Sequence, residues 1–560
     1  MTSTVSIAVT MLLQISDAIL SGAMIGEQTL AAINVVTPIY AAVIFLSYLI
    51  AAGTSIMFGN AAGAFDKEKM TDYFSEGLIF AIILGVFIGF VTTFGKDLYF
   101  DYYNLSDSVL NYTYEYFMYY KFVFILMPLF AYLADMVYVD GDELICNISY
   151  LVNAVTNIGL SVVLCNAWGI RGIGFGTFAG MLLSCIVLCF HFVRKSNSIR
   201  FRFYTNLKDI PCILKYSFID ASAYLYFAIV SVWMNKFIIT HFGEMYLPVY
   251  TAVFAVIEME VILDGIGDAM YPLVNVYRGE KNQSGEKNVL KYSMIYAILE
   301  GVTLSLLFFI LAPFLTKFAF GINTPGIYEL SVNAVRIVSL RITATSLLFA
   351  VSSYYLVSDH IVLGSVMVCL YIALVPIFVG IVLAAFFGMT GLWVGIALAP
   401  LLSILIIMAY ICLRYGKSKM PFILSEYDVK SFTYDITLTE ENVMQLCDAI
   451  RNKLINENIE KRIQLKPVVL CEDYLLLVAE KNGNKALDIE CSLLIGDYIE
   501  LIFRDTGKLL DITDADLKIT SLRSMVVSCL ANRINNKDYL LTTSYNRSVF
   551  RFEKNYSGSE

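Results

Sequence analysis

The side chains with the clearest chemical potential are carboxylates that lie inside long apolar stretches. Asp17 is the first of them, nine residues before Gly26, which is about 13 Å along a helix at 1.5 Å per residue. At that depth, near the centre of a bilayer, a carboxylate costs about 2.5 kcal/mol or more. Such a group takes up a proton or binds a cation. We therefore predict that Asp17 exchanges protons or metal cations; the alternative is a structural Asp that is hydrogen-bonded to a neighbouring helix.

Three further polar residues could join Asp17. Asp135 lies six residues before Gly141, and Asn157 and Ser161 are four residues apart, so the last two share one helix face. We predict that Asp135, Asn157 and Ser161 converge with Asp17 into one site for coupling cations or protons. The alternative for Asn157 is a hydrogen bond between two helices.

A second acidic group lies in the stretch AVIEMEVILDGIGDAM. Glu260, Asp264 and Asp268 follow one another at intervals of four, which places them on one face of a helix. Glu258 lies off that face, and Glu300 adds a carboxylate in the next stretch. Because like charges facing lipid are not viable, we predict that these residues border an aqueous cavity, where they recognise cationic substrates or take up coupling protons. The alternative is a kinked or shifted helix that places some of them among lipid headgroups.

The chain around these residues is poor in charge. Of its 560 residues, 16% are charged and 58% hydrophobic, whereas soluble proteins are about 25% charged. The net charge of −9 excludes the excess of positive charge that is typical of nucleic-acid binding. Eleven cysteines and three histidines show no metal-ligand spacing, so we predict no metal site. Most charged residues lie after residue 420, which indicates a membrane part followed by a soluble tail.

Twelve apolar stretches lie between residues 4 and 413, each long enough to cross a bilayer. Most Lys and Arg of the connecting loops lie in one alternate set of loops, including Arg194, Arg278 and Arg414. The positive-inside rule then predicts that both termini lie in the cytoplasm.

The first half of the membrane part resembles the second at an offset near 217 residues. Gly26 and Glu27 match Gly243 and Glu244, and the sequence WGIRGIGFG matches FGMTGLWVG. We therefore predict two six-helix bundles in the same orientation, with a cavity between the repeats as in many secondary transporters. The predicted bundles comprise residues 1–210 and 211–415.

Three segments together resemble the multidrug and toxic compound extrusion (MATE) family: SDAILSGAMIGEQTLAAINVVTPIY, GNAAGAFDKEK and VYVDGDELICNISYLVNAVTNIGLSVVLCNAWGIRGIGFGT. The resemblance covers residues 1–415. It implies a twelve-helix antiporter that exports organic cations or other amphipathic molecules against the entry of Na⁺ or H⁺. It also implies a cation site in the first bundle, with an acidic residue matching Asp17 and an Asn matching Asn157. Where the family has Asn and Asp, this chain has Asp135 and Ser161.

Residues 426–560, after a linker at 416–425, are predicted to alternate helices and strands. Their order resembles the Bergerat-type ATP-binding fold of anti-sigma-factor serine kinases and histidine-kinase catalytic domains. The resemblance implies that Glu472 and Asp473 stand at the family's acidic pair, and that Asp505 and Gly507 match the Asp-x-Gly that reads adenine.

The tail departs from that family at the residues that handle phosphates. The Asn that would bind Mg²⁺ is replaced by Leu477, or by Leu476 in an alignment shifted by one, and TSLRS stands in place of the glycine-rich lid. Leucine cannot ligate Mg²⁺, and a backbone without glycine cannot close around phosphates. We therefore predict a vestigial nucleotide site without ATPase or kinase activity, in a domain that regulates transport or binds a partner protein or nucleotide.

These patterns predict an all-α polytopic membrane protein with a C-terminal α+β soluble domain. We expect it to export cationic or amphipathic small molecules from a bacterial cell, in contact with membrane lipid and without a cofactor, an enzymatic activity or a nucleic-acid partner. One alternative is a flippase for lipid-linked precursors, although lipid phosphates need a cationic cavity and the intramembrane residues are mainly acidic. Another is a receptor that signals through the tail, which the substituted nucleotide motif disfavours.

Overall fold

The chain folds into two compact units in a computed structural model. We call residues 1–268 and 294–414 the membrane unit, and residues 269–293 and 415–560 the tail unit. The division into bundles 1–210 and 211–415 stays a prediction, but residues 269–293 group with the tail and not with the second bundle. The structure describes residues 15–554 except 64–65, 195–199, 205–208, 359, 417–426, 484, 509, 513–521, 534–536 and 542–544.

Long helices form the membrane unit, because its apolar residues would otherwise leave backbone groups unpaired in lipid. Two of the helices, α9 and α10, continue into the tail unit. The helices are α1 (Ile15–Met24), α2 (Gln28–Gly63), α3 (Lys67–Tyr103), α4 (Asp107–Val139), α5 (Glu143–Trp168), α6 (Ile170–Cys189), α7 (Ile210–His241), α8 (Leu247–Glu258), α9 (Asp264–Gly279), α10 (Gln283–Phe314), α11 (Ile327–Ser339), α12 (Ile342–Val357), α13 (Ile361–Cys369) and α14 (Val375–Arg414).

Ten helical segments within the described residues are long and apolar enough to cross a membrane, whereas the sequence predicted twelve. The first predicted span begins outside the described residues, and its described part, α1, is short. The last two predicted spans form one run, Val362–Arg414, which is interrupted by non-helical backbone at Gly388. The chain is thus a multi-pass, mostly helical membrane protein.

The backbone of the two halves matches in detail, as the predicted duplication requires. Gly169 has φ 60° and ψ −141°, and Gly388, 219 residues later, has φ 61° and ψ −144°. That region of φ favours glycine. Asn34 donates a 2.9 Å hydrogen bond to Thr251, its counterpart 217 residues later. Offsets of 217 in the early helices and 219 in the late ones therefore relate equivalent positions.

A buried ionic cluster joins α5 to the end of α6. The His191 ring donates through Nε2 to Asp140 at 2.8 Å and through Nδ1 to Asp142 at 3.0 Å. Because ionised carboxylates only accept hydrogen bonds, this geometry fits a doubly protonated imidazole. Burial would raise the pKa of Asp142, but hydrogen bonds from His191, the Ile145 amide and Arg194 outweigh it and hold that pKa below its usual value.

We expect His191→Phe to lower the thermal stability of the purified protein, since it leaves two buried carboxylates without their shared cation, at a cost of about 3–5 kcal/mol. The folded pKa of Asp142 is lowered, so its contribution is present at neutral pH and is lost as the pH falls through that lowered value. The melting temperatures of wild type and variant should therefore converge on strong acidification. His241→Phe, at an exposed histidine, is the control. A constant difference between wild type and variant at every pH would contradict this view.

The tail unit contains an antiparallel sheet with strand order β1-β2-β3-β5-β4. Thr439 caps α15 by accepting a 3.2 Å hydrogen bond from the Asn442 amide, as the sequence predicts. The Bergerat assignment stays a prediction. The elements are β1 (Lys430–Thr437), α15 (Glu440–Asn456), α16 (Lys461–Lys481), β2 (Asp488–Ile495), β3 (Tyr498–Asp505), α17 (Leu522–Arg533), β4 (Lys537–Leu541) and β5 (Asn546–Glu553).

Candidate functional site

Asp17 on α1 is buried and is held by neutral polar groups. The Tyr116 hydroxyl donates to its Oδ2 at 2.6 Å, and Thr177 Oγ1 lies 2.8 Å from Oδ2 and 3.1 Å from Oδ1. The Asp17 side chain is 5% exposed. Within the described part of the chain, no Lys, Arg or His forms an ion pair with it. The carboxylate is thus buried, hydrogen-bonded and not neutralised by a basic residue.

Close packing of α6 on α5 brings Thr177 and Asn157 to this site. A Cβ at Gly176 would lie 2.3 Å from Ser161 Oγ, so only glycine allows the two helices to approach this closely. Ser161 Oγ donates to Asn157 Oδ1 at 3.2 Å, and Thr177 Oγ1 lies 3.4 Å from the same atom. Asp17, Asn157 and Ser161, which the sequence predicted to converge, therefore form one hydrogen-bonded group.

Asp135 does not join this group. It shares α4 with Tyr116, but the two residues are nineteen positions apart, which is about 28 Å along a helix. The Asp135 side chain lies instead in the electrostatic environment of Tyr48 and Tyr150. The predicted fourth member of the site is thus placed elsewhere, because its helix runs past Asp17 at a different level.

A cavity of about 120 Å³ surrounds Asp17. Its lining comes from α1, α2, α4, α5, α6 and α8. The polar residues that line it are Asp17, Thr37, Tyr40, Tyr116, Tyr120, Tyr150, Asn153, Asn157, Thr177, Thr251 and Glu258. We call this space the Asp17 cavity.

A second cavity of about 340 Å³ lies beside it in the membrane unit, and we call it the aromatic cavity. Tyr40, Phe254 and Glu258 line both cavities. No hydrogen bond or ion pair joins Glu258 to another described residue, so its carboxylate is available to both spaces. The aromatic side chains of this cavity are Tyr40, Tyr224, Phe227, Tyr250, Phe254, Phe349 and Tyr371.

The predicted acidic stripe is wrong as a continuous α-helical face. A 3₁₀ segment, Met259–Leu263, interrupts the helix between Glu258 and Asp264, which changes the angular spacing of the side chains. As a result, Glu258, which the sequence reasoning set aside, is the unpaired acid of the cavities. The side chains of Asp264 and Asp268 lie outside the described residues.

Glu260 is neutralised by a residue that the sequence reasoning did not consider. Arg341 donates to it through Nε at 2.8 Å and Nη2 at 3.0 Å, and both side chains are 3% exposed. Glu260 lines the aromatic cavity as part of this pair, not as a free acid. Glu300 on α10 is half-buried and lines neither cavity.

The two cavities are related by the duplication, but their chemistry has diverged. In the second half, apolar residues replace the three polar side chains that hold the Asp17 site, and all three replacements line the aromatic cavity. The first repeat thus has a polar site and the second an apolar cavity at the corresponding place. The counterparts of Asp17, Asn157 and Thr177 are Met234, Pro376 and Ile396.

The predicted vestigial nucleotide residues of the tail do not form a common site. Asp505 Oδ1 accepts hydrogen bonds from the Gly507 amide at 2.8 Å and from Asn546 Nδ2 at 2.9 Å. This carboxylate is therefore occupied by groups of its own chain. Glu472 is exposed, Asp473 is partly buried, and neither lines the cavity of the tail unit that Asp505 borders.

Comparison with known proteins places these features in a family. Residues 3–163 match the MatE family model. A curated relative described as the probable multidrug resistance protein YoeA of Bacillus subtilis (strain 168) is 23% identical over 318 residues, which are 53% of this chain and 68% of the relative.

Solved structures share the fold. An inward-facing multidrug resistance MATE family transporter of the MOP superfamily has a TM-score of 0.68 at 17% identity, over 75% of this chain and 99% of that chain. An outward-facing structure with the same description has a TM-score of 0.60 at 18% identity, over 74% and 94%. These comparisons do not support the kinase-like assignment of the tail. Together, the family model, the curated relative and the shared fold support a MATE-family multidrug-resistance transporter as the membrane part of this chain.

Proposed function

We propose that this protein is a secondary antiporter that exports cationic or amphipathic small molecules in exchange for Na⁺ or H⁺. The observation that carries the proposal is the Asp17 carboxylate, which is buried in a cavity and paired only with hydroxyl and amide groups among the described residues. We further propose a bacterial cell membrane as its location, with both termini in the cytoplasm.

The groups around Asp17 suit either coupling ion. The hydroxyls of Tyr116 and Thr177 and the amide oxygen of Asn157 are oxygen ligands, the type that hard cations prefer. A proton taken up by Asp17 could instead be donated to Asn157 Oδ1, which Thr177 Oγ1 contacts from the same side. In both cases the negative charge of the site disappears when the ion enters.

The aromatic cavity supplies the features that bind an organic cation. Aromatic faces attract cations, and Glu258 adds an unpaired carboxylate. Because Glu258 also lines the Asp17 cavity, a positive charge beside Asp17 weakens the attraction between the substrate and this shared negative region. Ion entry then favours substrate release, and the coupling is reciprocal.

The test is transport of a fluorescent organic cation in proteoliposomes in which Na⁺ and pH gradients are imposed separately. We expect uphill substrate movement driven by at least one of the two gradients. Absence of movement under both gradients would overturn the antiporter proposal. Lipid scrambling in the same vesicles would favour the flippase alternative, which the neutralisation of Arg341 by Glu260 disfavours.

Within the aromatic cavity, Arg341→Met should strongly reduce the yield of folded protein. The substitution leaves Glu260 buried without its cation, which costs about 3–5 kcal/mol. The double variant with Glu260→Gln removes both charges and should regain most of the loss. The measurement is the melting temperature of detergent-solubilised protein for the two single variants and the double variant. Equal destabilisation by Arg341→Met alone and in the double variant would contradict the pairing.

A further inference from the structure

The tail sheet has a polar face that is nevertheless buried. Alternate residues of its strands point to opposite sides, and Leu493 and Phe503 belong to the apolar core that also contains residues of α15 and α16. Ser492 and Arg504 lie on the other side, and both are buried, at 0% and 8% exposed. An antiparallel sheet with helices on one face commonly leaves its polar face in water, so something specific covers this one.

Residues 277–286, which we call the turn segment, cover that polar face within the tail unit. This segment joins the end of α9 to the start of α10. Asn282, which is fully buried, donates to Ser492 Oγ at 2.9 Å. The Ser284 amide donates to Ser431 Oγ at 2.7 Å, and the Thr433 amide donates back to Ser284 Oγ at 3.2 Å. The turn segment and the first two strands therefore satisfy each other's polar groups.

Charges across this contact are complementary. Both carboxylate oxygens of Glu280 are used, one by Arg547 Nε at 2.7 Å and the other by Arg504. Arg504 also pairs with Glu490, which accepts a hydrogen bond from Tyr277. Burial would lower the pKa of Arg504, but Glu490 and Glu280 raise it above its ordinary value. Removing one member would leave other charges buried and unpaired, so this sheet face is matched to the turn segment.

We propose that the tail sheet and the turn segment form a clamp on the ends of α9 and α10, and that the transport cycle requires this clamp to loosen. The proposal rests on the proposed antiport. Because both surfaces are polar, they can separate into water without exposing a large apolar area, as transient domain interfaces do. In chain order, α9 follows directly on the 3₁₀ segment that carries Glu260, so restraint of α9 acts on the helix that leads to the aromatic cavity.

The test is a reversible cross-link in the full-length protein, Ser284→Cys with Ser431→Cys. The contacts of Ser284 and Ser431 place these residues within the range that a disulfide spans. We expect the oxidised protein to transport at least about fivefold more slowly than the reduced protein, because the clamp cannot open, a change at the lower end of allosteric coupling effects. Thr437→Cys with Asp488→Cys links β1 to β2 at paired positions away from the turn segment and should leave transport unchanged on oxidation.

The outcomes separate the clamp from the antiport. Equal transport by the oxidised and reduced Ser284–Ser431 pair, with complete cross-linking verified by mass spectrometry, would overturn the clamp and leave the antiport standing. Failure of that pair to cross-link would also contradict the clamp. If neither the wild type nor the reduced pair transports under either gradient, the antiport fails and the clamp fails with it. The single-cysteine variants control for the eleven native cysteines.

Discussion

Asp17→Asn should abolish uphill transport, with a loss of about 100-fold in initial rate, while the protein still folds. That loss is near the upper end of measured coupling effects. Asparagine has the size of aspartate and can keep the hydrogen bonds from Tyr116 and Thr177, but it can neither ionise nor take up a proton. The measurement is gradient-driven uptake in proteoliposomes, normalised to the amount of folded protein by size-exclusion chromatography.

Asp135→Asn is the matched control for that variant. It makes the same change in the same half of the protein, at a carboxylate that does not line the Asp17 cavity. We expect it to transport within about twofold of the wild type. Wild-type uptake by Asp17→Asn would remove the proposed coupling role of Asp17. Loss of uptake in Asp135→Asn, with folding intact, would show that the structure separates two residues that act together.

Glu258→Gln should weaken the transport of organic cations by about tenfold and affect neutral amphipathic substrates much less. Removing one unpaired carboxylate from a space lined by aromatic rings removes an attraction to cations of about 1–2 kcal/mol, which corresponds to about tenfold in affinity. The measurement is the concentration dependence of uptake for a monocationic dye and for a neutral analogue of similar size.

Glu300→Gln is the control for charge in the second half, because Glu300 lines neither cavity. It should leave the uptake of both substrates unchanged. An equal loss of the cationic and the neutral substrate in Glu258→Gln would contradict a role in charge recognition and would indicate a structural role instead.

The sequence predicted the coupling site in part because a buried carboxylate carries a strong signal. Asp17 is conspicuous by its cost in lipid, and Asn157 and Ser161 by their spacing of four. Tyr116 and Thr177 were missed because hydroxyl groups are tolerated in membranes and their positions have no distinctive pattern. Thr177 could have been found through Gly176, since a small residue at that place indicates a close helix contact.

The second half was harder to predict from periodicity alone. The spacing of Glu260, Asp264 and Asp268 assumes an unbroken α-helix, and the 3₁₀ segment at Met259–Leu263 violates that assumption. Arg341 was overlooked because pairing between α-helical spans depends on which helices are neighbours, and sequence spacing does not contain that information. One interrupted turn thus exchanged the roles of Glu258 and Glu260.

The tail shows the same limit. Alternating residues and turn motifs predicted its strands and helices, and Thr439 its helix cap. Nothing local in the strands indicates that Ser492 and Arg504 are buried by the turn segment, because their partners Asn282 and Glu280 lie more than 200 residues earlier.

Infrared difference spectroscopy of purified protein, recorded on addition of Na⁺ and separately on acidification, tests most directly whether Asp17 receives the coupling ion. We predict that one of these changes perturbs a carboxylate stretching band in the wild type and in Asp135→Asn, and that the perturbation is absent in Asp17→Asn. A carboxylate response that persists unchanged in Asp17→Asn would contradict the proposal that this residue binds the ion.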